Sequence, residues 1–139
     1  MANQIVVAGV AGEDLSSAQG LAVYADGADS EKIKICTDDE LTTVLGILLN
    51  APADDELAEI CVFGECEAVA GAAVEPFDHL MVDGSGKLIA HTGASNVAFA
   101  RYIPGVKASP TGALSQPDGA DTRTIKVFVT GQLRVNPAA

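Results

Sequence analysis

The chain has no tryptophan and only two tyrosines, and aromatic residues make up 4% of its 139 positions. Its core must therefore be built from Ala, Val, Ile and Leu, which dominate a 48% hydrophobic composition. The shortage of rings also leaves little with which to stack sugars, since only Tyr24 and Tyr102 pair a flat face with a polar tip. Basic residues are equally scarce: eight Lys and Arg stand against 19 Asp and Glu, a net charge of −11. Phosphate contacts need clustered Lys and Arg, so a nucleic-acid or anionic-membrane surface is not expected. No apolar run approaches the roughly 20 residues of a bilayer span. The N-terminus lacks a basic segment followed by an apolar run, so no secretory signal is expected. The three cysteines, Cys36, Cys61 and Cys66, show no metal-type spacing and read as reduced, small apolar residues.

What the chain does have is one pattern written twice. Ile60-Cys-Val-Phe-Gly-Glu-Cys-Glu-Ala-Val69 is echoed by Val127-Phe-Val-Thr-Gly-Gln-Leu-Arg-Val135, with Gly131 in the place of Gly64. With glycine on glycine, Ala58, Ile60, Val62, Cys66 and Ala68 match Ile125, Val127, Val129, Leu133 and Val135. Between them lie mostly Glu, Lys, Thr, Gln and Arg. Alternation of this length predicts an extended strand with one buried and one wet face. A strand straight through Gly64 sends Cys61 and Cys66 to opposite faces, where they cannot bridge. Phe63 and Phe128 fall on the wet register. Either a loop of the chain covers them or they lie at a subunit interface, where aromatics are enriched.

The earlier parts of each copy also correspond. Gly12, Leu15, Leu21 and Val23 align at one shift with Gly71, Val74, Leu80 and Val82. Strands are predicted at Leu21–Tyr24 and Lys32–Cys36, and again at Leu80–Val82 and Lys87–Ala90, each pair joined by a Gly/Asp turn into a hairpin. The runs Val44–Leu49 and Val97–Ile103 then lead through loops into the glycine-bearing strands. The second of these loops, Pro104–Asp121, is long and rich in Pro, Gly, Ser and Asp. Thr37-Asp-Asp-Glu-Leu41 could open one helical turn, capped by Thr37 with Glu40 three residues on. Residues 1–11 read as an arm, with the short β-prone run Ile5-Val-Val-Ala8, serving either as an edge strand or as a segment added to a partner's sheet. The expectation is an all-β protein with little or no helix, a small barrel or sandwich. It forms a single domain over 12–139, built from two similar halves, 12–70 and 71–135.

Chemistry-bearing motifs are weak. Asp83-Gly-Ser-Gly-Lys87 lacks phosphate-loop spacing and sits in a hairpin. The carboxylate runs Asp38-Asp39-Glu40 and Asp54-Asp55-Glu56 lack the alternating ligands of a calcium loop. His79 and His91 have no cysteine close in sequence to complete a zinc set. Ser16, Ser17, Ser30, Ser85, Ser95, Ser109 and Ser115 fall in turns or loops, and none forms a nucleophile elbow. No catalytic residue, cofactor or metal site is nominated, and an enzyme is not expected.

The hairpin Leu80-Met-Val-Asp-Gly-Ser-Gly-Lys-Leu-Ile-Ala90, the strand Val97-Ala-Phe-Ala-Arg101 and the final strand Thr124–Val135 together resemble the head decoration (capsid cement) proteins of tailed bacteriophages, including the lambda type. The long Pro104–Asp121 segment and the doubled arrangement depart from the lambda type. The resemblance implies a β-tulip-like, commonly trimeric structural protein on the outside of the virion head, made in the host cytoplasm. It would clamp neighbouring major capsid protein subunits. It also implies an N-terminal arm, here Ala2, Asn3, Gln4, Ile5, Val6 and Val7, that adds a strand to the capsid's sheet. The alternative function is a carbohydrate- or cell-surface-binding β module of a phage spike or surface protein. A hydrolase assembled from loops is a third reading.

Overall fold

A computed structural model of the chain describes residues 4–37, 44–92, 98–104, 107–108, 114–115 and 123–133. In chain order the strands are β1 (Gln4–Val10), β2 (Ala22–Asp26), β3 (Lys32–Ile35), β4 (Gly46–Leu48), β5 (Leu57–Val69), β6 (His79–Val82), β7 (Leu88–Ala90), β8 (Ala98–Tyr102), β9 (Lys107–Ala108), β10 (Leu114–Ser115) and β11 (Thr124–Leu133). Nine of them form one curled, half-barrel sheet, ordered β3-β2-β4-β5-β11-β8-β6-β7, with β1 added to β5. Among the described residues the only helical segment is a 3-10 turn at Gly27–Asp29. The protein is all-β. The helical turn predicted from Thr37 lies almost wholly outside the described residues, as does most of the Pro104–Asp121 stretch. Within that stretch β9 and β10 pair antiparallel, so it holds a small ladder of its own.

The strand order reads alike from either end: a hairpin, a short strand, then a long strand that meets its counterpart. Hairpin β2–β3, β4 and β5 occupy one half; hairpin β6–β7, β8 and β11 occupy the other. Local details recur with the topology. Gly12 N–H donates to the Ile33 carbonyl at 2.8 Å, and Gly71 N–H donates to the Leu88 carbonyl at 2.7 Å. Each hairpin turn opens on an aspartate whose carboxylate accepts the amide two residues on, Asp26 from Ala28 and Asp83 from Ser85, the local bond that makes Asp a turn former. The ladders equate Val23 with Leu80: each pairs forward into its hairpin, with Ile35 or Ala90, and sideways with Gly46 or Ala100. Sequence alignment equates Val23 with Val82. The connection into β6 is two residues shorter than the one into β2, and a two-residue slip keeps every side chain on its face, so hydrophobic alternation does not detect it.

Two apolar clusters result. One joins both halves around Phe99, with Ala22, Ile47, Cys61, Cys66, Leu80, Tyr102 and Val127. The other lies within the first half, around Leu15, Val23, Ile33, Leu48, Ala58 and Ile60. Strands β2, β4 and β5 thus supply alternate residues to both clusters: Ala22 and Val23, Ile47 and Leu48, Cys61 and Ile60. Their central residues are buried on both faces, which the expectation of one wet face misses.

Strand β5 also does not run straight. Val6 pairs with Cys61 and Ile5 with Phe63, so Val62 is an extra residue, a β-bulge. Gly64 follows at φ 108°, a backbone conformation that side chains disfavour. Together they bend the strand and switch its register, so Cys61 joins Cys66 and Ala68 in one cluster. The placement of Cys61 and Cys66 on opposite faces is corrected accordingly.

At the first hairpin, Lys34 Nζ lies 2.8 Å from Asp26 Oδ2 and 3.3 Å from Asp29 Oδ2. The Lys34 ammonium, with the Ala28 amide, holds the Asp26 carboxyl below the ordinary carboxylate range. A carboxyl whose folded pKa lies below its unfolded value contributes stability that is present above the unfolded pKa and lost as pH falls through the folded one. Stability should therefore decline as acid is added below about pH 4. Asp26→Asn should make that decline shallower, as read by thermal midpoints from pH 6 to pH 2.5; an unchanged acid slope would remove Asp26 from the account.

Candidate interaction face

Backbone pairing decides which side chains share a face. Antiparallel partners project to the same side, so Ile5 stands beside Phe63, Phe128 beside Arg101, and Arg101 beside His79. Phe63 and Phe128 close the gap between the first pair and the rest, with ring centroids 5.3 Å apart in an edge-to-face arrangement. Such contacts contribute about 0.5–1.5 kcal/mol beyond area burial. Arg101 Nη2 approaches His79 Nε2 at 2.6 Å, which makes Nε2 the acceptor. A row of five side chains thus crosses β1, β5, β11, β8 and β6. Its apolar end is open to solvent, with Ile5 57% and Phe63 45% exposed. Its polar end carries the guanidinium.

The corresponding row of the first half lies elsewhere. By ladder position, Ala22, Ile47 and Cys61 match His79, Arg101 and Phe128. The first three are fully buried in the cluster shared by the halves. The first half's copy of this surface is covered by the protein itself, whereas the second half's copy faces out.

Of the predicted arm, Ala2 and Asn3 lie outside the described residues. Gln4, Ile5, Val6 and Val7 belong to β1, which docks on the chain's own β5, with Gln4 Nε2 donating to the Glu65 carbonyl at 2.7 Å. All four are exposed. Among the described residues no strand pairs with the other edge of β1 over Gln4–Val10, which leaves a row of backbone groups open to another strand. Val10 and Leu57, paired at the far end of this ladder, are exposed as well.

Arg101 and His79 were not singled out together by the sequence; only the register of β6 against β8 brings them side by side. A further exposed aromatic, Phe77, was also missed. It adopts φ 66° where its ladder counterpart Gly20 adopts 89°; Phe77 N–H donates to Tyr102 and Gly20 N–H to Leu48. A left-handed conformation costs a side-chain-bearing residue on the order of 1 kcal/mol.

By sequence the chain matches no protein-family profile and no curated protein. Comparison of structures gives a match across nearly its whole length. The N base of head fiber gp8.5 of bacteriophage phi29 superimposes with a TM-score of 0.61 at 13% identity, over 94% of this chain and 98% of that one. The two share a fold.

Among the described residues, the Asp83 turn and the Asp55-Glu56 pair make bonds within the fold. Asp83 Oδ1 accepts the amides of Ser85 and Lys87 at 2.8 and 3.0 Å and the Ser85 hydroxyl at 3.1 Å. The donors a phosphate would need are taken by the turn's own carboxylate. Asp55 pairs with Lys32 at 2.9 Å, and Glu56 accepts the Ala53 amide at 2.8 Å. Asp38, Asp39 and Glu40 lie outside the described residues. Among the described residues no three His, Cys, Asp or Glu gather as a metal site, and no helix is long and apolar enough to cross a membrane. An open cleft of about 730 Å3 lies between Gln19–Gly20, Leu48–Leu49, β5 and β11, edged by Glu65, Glu67 and Lys126.

Proposed function

We propose that this chain is a non-enzymatic structural protein of a bacteriophage head, a decoration protein that binds the outer capsid surface and braces neighbouring major capsid protein subunits. The observation that carries the reading is the fold shared, end to end, with the N base of a phage head fiber. The open edge and exposed apolar side chains of β1 support it. A strand with one free edge is suited to extending another protein's sheet, where backbone bonds supply affinity and alternate side chains supply fit. Ala2 to Val7 would form that contact. Each copy adds little, but many copies on a closed shell favour the bound, expanded form by mass action.

The outward row suits contact with further copies of the chain, as a homotrimer. Phe63 and Phe128 would lie at that subunit interface, beside Arg101, one of few cations on an acidic protein. The matching row of the first half is covered by the second half, which favours the same use for the exposed one. The net charge of −11 suits an exterior position away from the genome and makes contacts with nucleic acid or anionic membrane unfavourable. A carbohydrate-binding module is less well supported, since Tyr102 is buried and Tyr24 packs against the core.

Co-sedimentation with expanded phage heads tests the proposal. The full chain should pellet with heads, and deletion of residues 2–8 should weaken retention by roughly 100-fold or more, about 3 kcal/mol. The truncated chain should keep its β-type circular dichroism. Light scattering should give a trimer that Phe63→Ala with Phe128→Ala shifts toward monomer. Equal retention of full and truncated chains would remove the arm, and failure of the full chain to bind heads would sink the decoration role.

A further inference from the structure

Strand β11 carries Phe128 between two opposite charges. Its ladder partner on β8 is Arg101 and its ladder partner on β5 is Glu65. Antiparallel partners project to one side of a sheet, so a cation, a ring and a carboxylate cross the outward face in one line. The two charged residues stand two strand spacings apart, roughly 10 Å. Among the described residues neither of them makes an ion pair. Arg101 is exposed, and His79 takes up its Nη2; the other N–H groups of the guanidinium have no acceptor among the described residues. Glu65 is half-buried at the edge of the open cleft, its backbone carbonyl held by Gln4 Nε2 at 2.7 Å. Two residues further along β5, Glu67 has Lys126 directly opposite, whereas Glu65 has only the Phe128 ring there.

We propose, resting on the reading of the outward row as a subunit interface, that Arg101 of one copy of the chain docks at the cleft of a second copy against Glu65. Charge complementarity selects this occupant and sets its register. With 19 acidic and eight basic residues, two copies repel each other in most approaches. Placing Arg101 over Glu65 replaces that repulsion with attraction, and a guanidinium can meet a carboxylate through two parallel N–H···O bonds. The cleft, about 730 Å3 and open, has room for the incoming side chain. Ile5, Phe63 and Phe128 lie beside the pair, and a neighbouring copy that covers them keeps water from it. The ends of the line differ in sign, so each copy offers Arg101 to one neighbour and Glu65 to the next. Such a head-to-tail contact closes into a ring, of which a trimer is the smallest.

The test is a charge swap in the full chain, read by sedimentation equilibrium. Arg101→Glu and Glu65→Arg should each weaken self-association by roughly 30-fold or more. The double variant, Glu65→Arg with Arg101→Glu, should return it to within about tenfold of wild type. The single changes move the net charge in opposite directions, so weakening by both is not bulk repulsion. Each variant should keep its β-type circular dichroism, since both side chains reach solvent. A wild-type assembly that neither single change weakens would overturn the Arg101–Glu65 contact and leave the subunit interface standing. Single variants that dissociate without recovery in the double variant would overturn the pairing. A wild-type chain that stays monomeric at every concentration would overturn the interface together with this contact, while co-sedimentation with heads judges the capsid role separately.

Discussion

Gly46→Ala should destabilise the fold by about 3 kcal/mol, the upper end for overpacking, because the added methyl meets backbone. A Cβ at Gly46 would run into the Cys61 carbonyl, with the Ile60 Cγ2 at 2.9 Å. The cause is the β5 bulge. At the matching ladder position β8 carries Ala100 opposite Val129, where a methyl fits. Opposite Gly46 the bulged β5 crowds the space instead. Neither strand can retreat, since β4 is held by β2 on its other edge and β5 by β1. The thermal midpoint should fall by roughly 10 °C, while Ala100→Gly should cost only about 1 kcal/mol. A Gly46→Ala midpoint within about 2 °C of wild type would show that β4 can move away from the bulge.

Phe99→Ala should cost about 3–5 kcal/mol. Phe99 is the largest fully buried side chain and belongs to the cluster that both halves build. Its backbone is fixed as well, with the Phe99 carbonyl accepting the Thr130 hydroxyl at 3.2 Å, so the surroundings have little freedom to collapse into the space left. Urea unfolding should stay a single transition with unchanged slope and a lower midpoint, because the shared cluster makes the halves one cooperative unit. Two transitions, with only one of them moved, would mean that the halves unfold separately.

Much of this architecture was legible in local pattern. The alternation in Lys32–Ile35 and the long runs ending in β5 and β11 announce strands. The aspartate-opened turns at Asp26 and Asp83 announce hairpins. Both follow from interactions within a few residues. The β5 bulge was not legible, because Val62 looks like one more apolar residue in an alternating run, and only pairing with β1 makes it surplus. Nor was the burial of both Ala22 and Val23, or both Ile47 and Leu48. In this apolar-rich chain such neighbours read as strand with one face wet until a second layer is placed over that face. For the interaction face, Phe63 and Phe128 stood out as aromatics on the polar register. Arg101, His79 and Ile5 joined them only through pairings between strands far apart in sequence.

By itself the sequence determined that this protein is all-β, arranged as two similar runs of hairpin, short strand and long strand, with an acidic exterior and an aliphatic core. Those properties depend on composition and on side-chain period, which are carried within each strand. Tertiary structure alone decided which copy of a repeated surface is buried and which faces out, and it alone placed Cys61 and Cys66 in one apolar cluster. Both outcomes depend on which strand lies beside which and at what register, and contacts of that kind form between residues that neither period nor composition links.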